Sequence, residues 1–314
     1  MRKRSWTIRP ARKEDIPRIV AISGRIWGGE DYVPGVIGEW LEEEPGEVLV
    51  AEGDGLVVAF AHLFRLFPDL VWLEGFRTDP AWQGQGAGRA LAEYTIEKAR
   101  SSGIRTAAFS TYIENYASLH ILGGLGFTKV AEWVVLGRKL KQAAALSSWE
   151  PPGRAEVIAP EAIIPRIDEV EDFLRRSPAF AGSAGWLADG WRFFPFFRDS
   201  QRDSLRQHAL SHYRWQLATR HGGRLDALLL AGKGHEGISI DFLEGEPEAM
   251  RQLLGTFLSM RPTGDLTAPG RVCCAMIPAG GDPSQVLGLL AEAGFETWNG
   301  GKPDVFLYTL SLEA

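Results

Sequence analysis

The residues of this 314-residue chain best suited to chemistry run Phe76-Arg77-Thr78-Asp79-Pro80-Ala81-Trp82-Gln83-Gly84-Gln85-Gly86-Ala87-Gly88-Arg89. An extended segment stops at a proline, and a glycine-rich turn opens a helix with Leu91, Ala92, Thr95, Ile96 and Ala99 on one apolar stripe. A helix start leaves its first backbone N–H groups without intrahelical partners, and the aligned peptide dipoles concentrate partial positive charge there. With glycine at 84, 86 and 88, no Cβ keeps a bulky anion at a distance. Such a turn is suited to holding a diphosphate.

Spacing narrows the guest. A P-loop needs Lys-Ser/Thr directly after its glycines, and this chain has Arg89-Ala90. A dinucleotide fingerprint needs its first glycine straight after the strand, whereas Asp79-Pro80-Ala81-Trp82 intervenes here. Taken alone, the six residues from Gln83 to Gly88 also fit an ordinary glycine-rich strand–helix turn.

The elements around the turn discriminate. Upstream, Ile8-Arg9-Pro10-Ala11 and Glu14-Asp15-Ile16-Pro17 read as a first strand and helix. Glu47 to Glu52 and Leu56 to Phe64 form a hairpin about Gly53-Asp54-Gly55. Downstream, Ser101-Ser102-Gly103 stops the helix, Thr106 to Thr111 is a short buried strand, and Asn115-Tyr116-Ala117-Ser118 opens a second helix ahead of Gly124-Leu125-Gly126-Phe127. The order β-α-α-β-β-β-α-β-α-β spans residues 5 to 140 and predicts an α/β fold with a mixed sheet.

Gln83-Gly84-Gln85-Gly86-Ala87-Gly88, read as Gln/Arg-x-x-Gly-x-Gly/Ala, resembles the acetyl-CoA loop of the GNAT N-acetyltransferase family. Asn115 with Leu125-Gly126-Phe127 resembles the segment that closes the CoA site in that family. The resemblance implies a strand splayed from its neighbour, with the backbone of Phe76, Arg77 and Thr78 pairing with the pantetheine arm and the thioester carbonyl. It implies that backbone N–H groups over Gln83, Gly84, Gln85, Gly86, Ala87, Gly88 and Arg89 hold the diphosphate, with Asn115 near the pantetheine. Asn115 also fits a plain N-cap, and the two uses are compatible.

Acetyl transfer needs a base for the substrate ammonium and an acid for the departing thiolate. Leu73-Glu74 resembles the Leu-Glu-Asp of polyamine-type members, which makes Glu74 the candidate base, although Gly75 follows. A carboxylate on a partly buried strand has its pKa raised by desolvation, as a base near neutral pH requires. Strand alternation predicts that Glu74 and Thr78 share one face, and the competing reading pairs Glu74 with Arg65 or Arg77. The tyrosine many members carry seven residues after the asparagine is Leu122 here, which leaves Ser118, His120 or water to protonate the thiolate. Trp27 with Gly28-Gly29-Glu30-Asp31-Tyr32 falls where the family builds its acceptor loop. Its two carboxylates would suit a basic amine, and a solvated loop fits equally.

The second half repeats the first at a constant offset. Glu47 to Gly55 corresponds to Trp215 to Gly223, Leu56 to Phe64 to Arg224 to Gly232, and Leu125-Gly126-Phe127 to Ala293-Gly294-Phe295, each 168 residues on. Ile16-Pro17-Arg18-Ile19 recurs as Ile164-Pro165-Arg166-Ile167. Two tandem GNAT-like domains are expected, over 1–145 and 154–314, joined by a linker in Lys141 to Arg154. The copies are chemically unequal. Leu243-Glu244-Gly245-Glu246-Pro247-Glu248-Ala249 puts three carboxylates where the first copy has glycines, so the second is expected to repel a diphosphate and to serve a structural or substrate-shaping role.

A hydrophobic content of 45% suits two folded cores, and a net charge of −6 argues against a nucleic-acid partner. No segment reads as a signal peptide or membrane span, and the adjacent Cys273 and Cys274 are not expected to pair, so a cytoplasmic protein is expected. No metal ligand set is expected. Trp186, Trp191, Phe193, Phe194, Phe196 and Phe197, interleaved with Arg192 and Arg198, read as a core cluster or as a lid over the acceptor. The expected activity is acetyl-CoA-dependent transfer to a small-molecule primary amine, by direct attack in a ternary complex. The alternatives are a protein or peptide N-acetyltransferase and a non-catalytic acyl-CoA-binding regulator. Both monomer and homodimer remain open.

Overall fold

Asp54 and Gly55 take φ of 52° and 77°, the two-residue turn whose twist suits a tight hairpin. The flanking strands, β2 (Gly46–Gly53) and β3 (Leu56–Phe67), pair outward from Gly53↔Leu56. The computed structural model describes residues 5–139, 167–196, 213–234, 237–260 and 272–313. They fall into two units, Met1–Lys129 with Leu307–Ala314 and Val130–Phe306.

In the first unit the strands run β1 (Thr7–Pro10), β2, β3, β4 (Leu70–Thr78), β5 (Thr106–Tyr112) and β14 (Val305–Ser311), with β4 parallel to β5. Helices α1 (Ile16–Ser23) and α2 (Val33–Trp40) cover one face, where Ile19, Ile22, Val33, Ile37 and Trp40 pack on Val48, Val50 and Phe60. Helices α3 (Ala87–Ser101) and α4 (Tyr116–Gly123) cover the other, where Leu91, Ala92, Ile96 and Ala99 pack on Leu49, Ala51, Ala59 and Ala61. The element order is the one the sequence predicts, and the apolar stripe of α3 is buried as its 3.6-residue period requires.

The unit boundary lies at Lys129, within β6 (Thr128–Lys139), while the Lys141–Arg154 segment lies outside the described residues. The C-terminal segment joins the first unit because its apolar side chains fill that core. Tyr308 stacks on Phe109 at 5.1 Å and 9°, Leu312 is buried, and the Leu312 amide donates to the Arg105 carbonyl at 2.8 Å.

The second unit has strand order β6, β12 (Val272–Pro278), β11 (Gly237–Gly245), β10 (Arg224–Gly234), β9 (Trp215–His221), with β11 and β12 parallel. Its hairpin closes at His221↔Arg224, 168 residues beyond Gly53↔Leu56. Also described are α5 (Ile167–Arg176), α6 (Pro178–Gly182), the hairpin β7 (Trp186–Asp189) and β8 (Arg192–Pro195), α7 (Pro247–Ser259), α8 (Ser284–Glu292) and β13 (Glu296–Thr297). The aromatic segment is core: Phe193, Phe194 and Phe196 are buried, and Phe193 lies 4.3 Å from Trp133. These residues form no lid, because their rings supply the apolar area this unit needs. Phe197, Arg198 and the Ile164-Pro165-Arg166 recurrence lie outside the described residues. Helix α7 starts two residues after β11, with Glu246 at its N-cap and Glu248 in its first turn. Glu244 is taken up elsewhere, accepting from the Ser177 hydroxyl and from the Ala179 N–H. Cys273 and Cys274 are in no disulfide among the described residues, and burial pushes the Cys273 thiol far up. Among the described residues, no helix is long and apolar enough to cross a membrane.

Candidate active site

Strands β4 and β5 begin as parallel partners and then part. Their register runs Leu70↔Thr106, Val71↔Ala107 and Trp72↔Ala108, and no pairing between them follows. On its other edge β4 stays paired with β3 as far as Thr78↔Ala59. From Leu73 to Thr78 the backbone therefore has one edge without a β5 partner, and such groups need partners of another kind.

The turn that follows aims a helix start at this fork. Asp79, almost wholly buried, accepts from the Ala81 N–H at 2.9 Å and pairs with Arg18 at 2.5 Å and Arg25 at 3.1 Å. Burial pushes the Asp79 carboxyl up, but the Ala81 N–H and the two guanidiniums outweigh it and hold it below the usual range. The anchored turn runs through Gln83, which donates to the Thr78 carbonyl at 3.4 Å, and exposed Gly84 and Gln85 to Gly86. Gly86 caps α3 with φ of 92°, a left-handed conformation that only glycine adopts without strain. No side chain caps this start, so the amides of Ala87, Gly88 and Arg89 in the first turn have no acceptor within the helix. A Cβ on Gly88 would lie 2.8 Å from Thr78 Oγ1 and 3.5 Å from Ile121, so glycine lets α3 close down on the end of β4. Arg89 points its guanidinium to Glu93 at 2.8 Å on the exposed side.

Glu74 is where the sequence expectation needs correcting. Its partner is neither Arg65, which donates to the Pro68 carbonyl, nor Arg77, which pairs with Asp31. Glu74 Oε1 lies 2.9 Å from Nδ1 of His62, a fully buried ring directly opposite on β3. Nor does Glu74 share a face with Thr78. Between His62↔Glu74 and Phe60↔Arg77 the register slips by one, because Gly75 takes φ of 66° and bulges out of the strand. Thr78 pairs with Ala59 and faces α3, whereas Glu74 pairs with His62 and faces α2. A Cβ on Gly75 would meet the Trp40 ring at 2.7 Å.

On the α2 side, three aromatic rings gather around an ion pair. Asp31, with no exposed side-chain surface, takes both Nε and Nη2 of Arg77 at 3.0 Å. The carboxylate expected to greet a basic amine is thus already engaged, while Glu30 stays exposed. The guanidinium sits 4.2 Å from the Trp27 ring and 5.6 Å from Tyr32, and Trp27 also meets Tyr112 at 6.0 Å. Trp27 so touches a side chain from each of the two parting strands. Burial pushes the Tyr112 phenol up, against the pull of Arg77.

At α4, Asn115 is the N-cap: its Oδ1 accepts from the Ser118 N–H at 3.3 Å, and its Nδ2 donates to Thr111 Oγ1 at 2.9 Å. Ser118 is half-buried and one turn before Ile121, which packs near Gly88, whereas His120 and Tyr116 are exposed. Leu122 is core. Sequence reasoning missed His62, Glu43, Trp40 and Tyr112; the only available signal was a polar His62 inside the apolar run Leu56–Phe67.

A mixed sheet whose parallel pair forks beside an uncapped glycine helix start defines the class of α/β protein to which this unit belongs. The comparisons agree with that class. The model for the acetyltransferase (GNAT) family matches residues 16–127. The L-amino acid N-acyltransferase MnaT of Escherichia coli is 30% identical over 151 residues, 42% of this chain and 86% of that protein. The histidine N-acetyltransferase of Xenopus tropicalis is 31% identical over 88 residues, 28% of this chain and only 27% of the relative's length. A GCN5-related N-acetyltransferase from Sphaerobacter thermophilus shares the fold along 98% of this chain and 96% of its own, with a TM-score of 0.60 at 14% identity. The chain belongs to the acetyltransferase (GNAT) family, a family of acyltransferase enzymes.

Proposed function

We propose that the first unit transfers an acetyl group from acetyl-CoA to the primary amine of a small molecule, by direct attack in a ternary complex. The observation that carries this reading is the fork itself, with the Gly86-capped start of α3 at its end. The residues fit the donor: amides of Gly84 to Arg89 would hold the diphosphate, backbone groups of Phe76, Arg77 and Thr78 on the edge that β5 has left would take the pantetheine and the carbonyl, and Asn115 would lie beside the arm while capping α4. Bound there, the donor supplies an activated thioester carbonyl.

The chain's own groups do the rest. Glu74, at the point where pairing with β5 has ended, accepts a proton from the substrate ammonium. The freed nitrogen attacks the carbonyl carbon, a C–N bond replaces the C–S bond, and the nitrogen's second proton passes to the departing thiolate through Ser118, His120 or water. The Trp27 contact to both Arg77 and Tyr112 favours a small acceptor over a peptide, because it narrows the acceptor side of the fork. Buried Leu122 in place of a proton-donating tyrosine favours a second reading, an acyl-CoA-binding regulator without turnover. The second unit, with Glu246 and Glu248 at the start of α7, is read as structural or substrate-shaping. A cytoplasmic setting, supported by free Cys273 and Cys274, and a monomer or homodimer complete the reading.

Calorimetry of the whole chain with CoA, followed by thiol release against a panel of amines, tests it. Binding with acceptor-dependent thiol release is expected. Binding without release would favour the regulator, and no binding would remove both.

A further inference from the structure

The Glu74 carboxylate is not the end of its network. His62 is buried on every side, with Nδ1 at 2.9 Å from Glu74 and Nε2 at 3.6 Å from a Glu43 carboxylate oxygen. Its ring lies flat on the Trp40 indole, 4.5 Å centroid to centroid and 14° from parallel. A Cβ on Gly46 would approach Nε2 to 2.9 Å, so the backbone of β2 also closes on the ring. Four neighbours therefore leave the imidazole a single pose. The groups that face it are Glu74 from β4, Glu43 from the α2–β2 connection, Trp40 from α2, and Gly46 with Val48 from β2. Arg77, further along β4, is engaged by Asp31.

We propose that His62 is the positioning residue for the base: it holds the Glu74 carboxylate in place and in its proton-accepting form, and Trp40 with the backbone of β2 keeps the imidazole turned toward it. An ionised carboxylate only accepts hydrogen bonds, so with Glu74 ionised the 2.9 Å contact puts the proton on Nδ1. An N–H donated to a carboxylate favours its ionised, proton-accepting form. A stacked, sterically clamped ring supplies that donor without the entropy of a mobile side chain. This inference rests on Glu74 being the base. It adds that the base works at neutral pH because His62 donates to it.

The test is the kcat pH profile of the whole chain with His62→Phe, His62→Asn, Glu43→Gln and Glu74→Gln, alongside calorimetric CoA binding. His62→Phe keeps an aromatic ring on Trp40 but removes the donor. Its acid limb is expected to move up by about one pH unit, with turnover near neutrality down about tenfold. The KM for the acyl donor should stay within about twofold, since the diphosphate turn is untouched. His62→Asn restores a donor near Nδ1 and should recover most of the loss. Glu43→Gln, whose carboxylate makes no hydrogen bond to Nε2, should leave the limb nearly where it is. A purely structural His62 would instead lower stability in both His62 variants without moving the limb. An unmoved limb in His62→Phe, with Glu74→Gln strongly impaired, overturns the inference and leaves the base standing. Full turnover in Glu74→Gln overturns the base and this inference with it, while CoA binding still judges the rest. If His62→Phe does not fold, His62→Leu, which also lacks the donor, takes its place, and an unmoved limb there rejects the role.

Discussion

Glu74 and Thr78 stand four residues apart on one strand yet project to opposite faces of the sheet, because Gly75 adds a residue to the strand that β3 does not match. The bulge turns the candidate base away from α3 with its glycine-rich start, and toward α2, where Trp27, Arg77 and Tyr112 gather. On the proposed reading, donor and acceptor would meet from two sides of the same strand.

Replacing Glu74 with Gln should keep the shape and remove the proton acceptor. Turnover is expected to fall by about 10²- to 10⁴-fold, with CoA affinity nearly unchanged by calorimetry. Activity flat and undiminished across pH 6 to 9, which spans roughly the ordinary working range of such a base, would take Glu74 out of the mechanism.

Gly75→Ala should strike the fold and the site together. Its φ of 66° disfavours any side chain, and the new Cβ would meet the Trp40 ring at 2.7 Å. A loss of about 2 kcal/mol in denaturant unfolding is expected. A variant as stable as the parent would mean that the bulge relaxes freely.

Asp31→Asn leaves the Arg77 guanidinium in a mostly buried place beside a neutral partner. Breaking such a pair from one side costs about 3 kcal/mol. In the double variant Asp31→Asn with Arg77→Met the cost should be well below the sum of the single ones, since no orphaned charge remains. Strict additivity of the unfolding free energies would argue that the pair is not coupled.

Asp304 in the second unit predicts a pH dependence of stability. Burial raises its carboxyl from 3.8 to about 6, against the pull of the Val135 N–H that it accepts at 3.0 Å. The unfolded chain gives up this proton first, so the contribution is favourable at low pH and is lost as pH rises from about 4 through 6. Against Asp304→Asn, the native chain should lose up to roughly 3 kcal/mol over that window. Urea titrations of both at the two ends read the difference, and a constant gap would contradict the assignment.

Local order was legible where local chemistry dictates it. The stripe Leu91, Ala92, Thr95, Ile96 and Ala99 announces α3, Asp54-Gly55 announces the hairpin, and the glycines from 84 announce an uncapped helix start. The direction of Glu74 was not legible, because alternation holds only while the register does, and the slip depends on how β3 pairs with β4. Gly75 was visible as a glycine inside a strand, but Trp40, the ring that requires it, lies 35 residues earlier. The His62–Glu74 contact is likewise a matter of cross-strand register. The aromatic segment around Phe193 read as core first and as a lid second, since ring content alone does not say which way rings face.

The segment Leu307–Ala314 belongs to the first unit although residues 130–306 come between. A ribosome therefore releases the N-terminal half unfinished: Phe109 waits for Tyr308, and the Arg105 carbonyl for the Leu312 amide, until the whole intervening stretch has been translated. Nascent chains halted before residue 307 should carry this half with an exposed sheet edge, sticky and readily cut by protease.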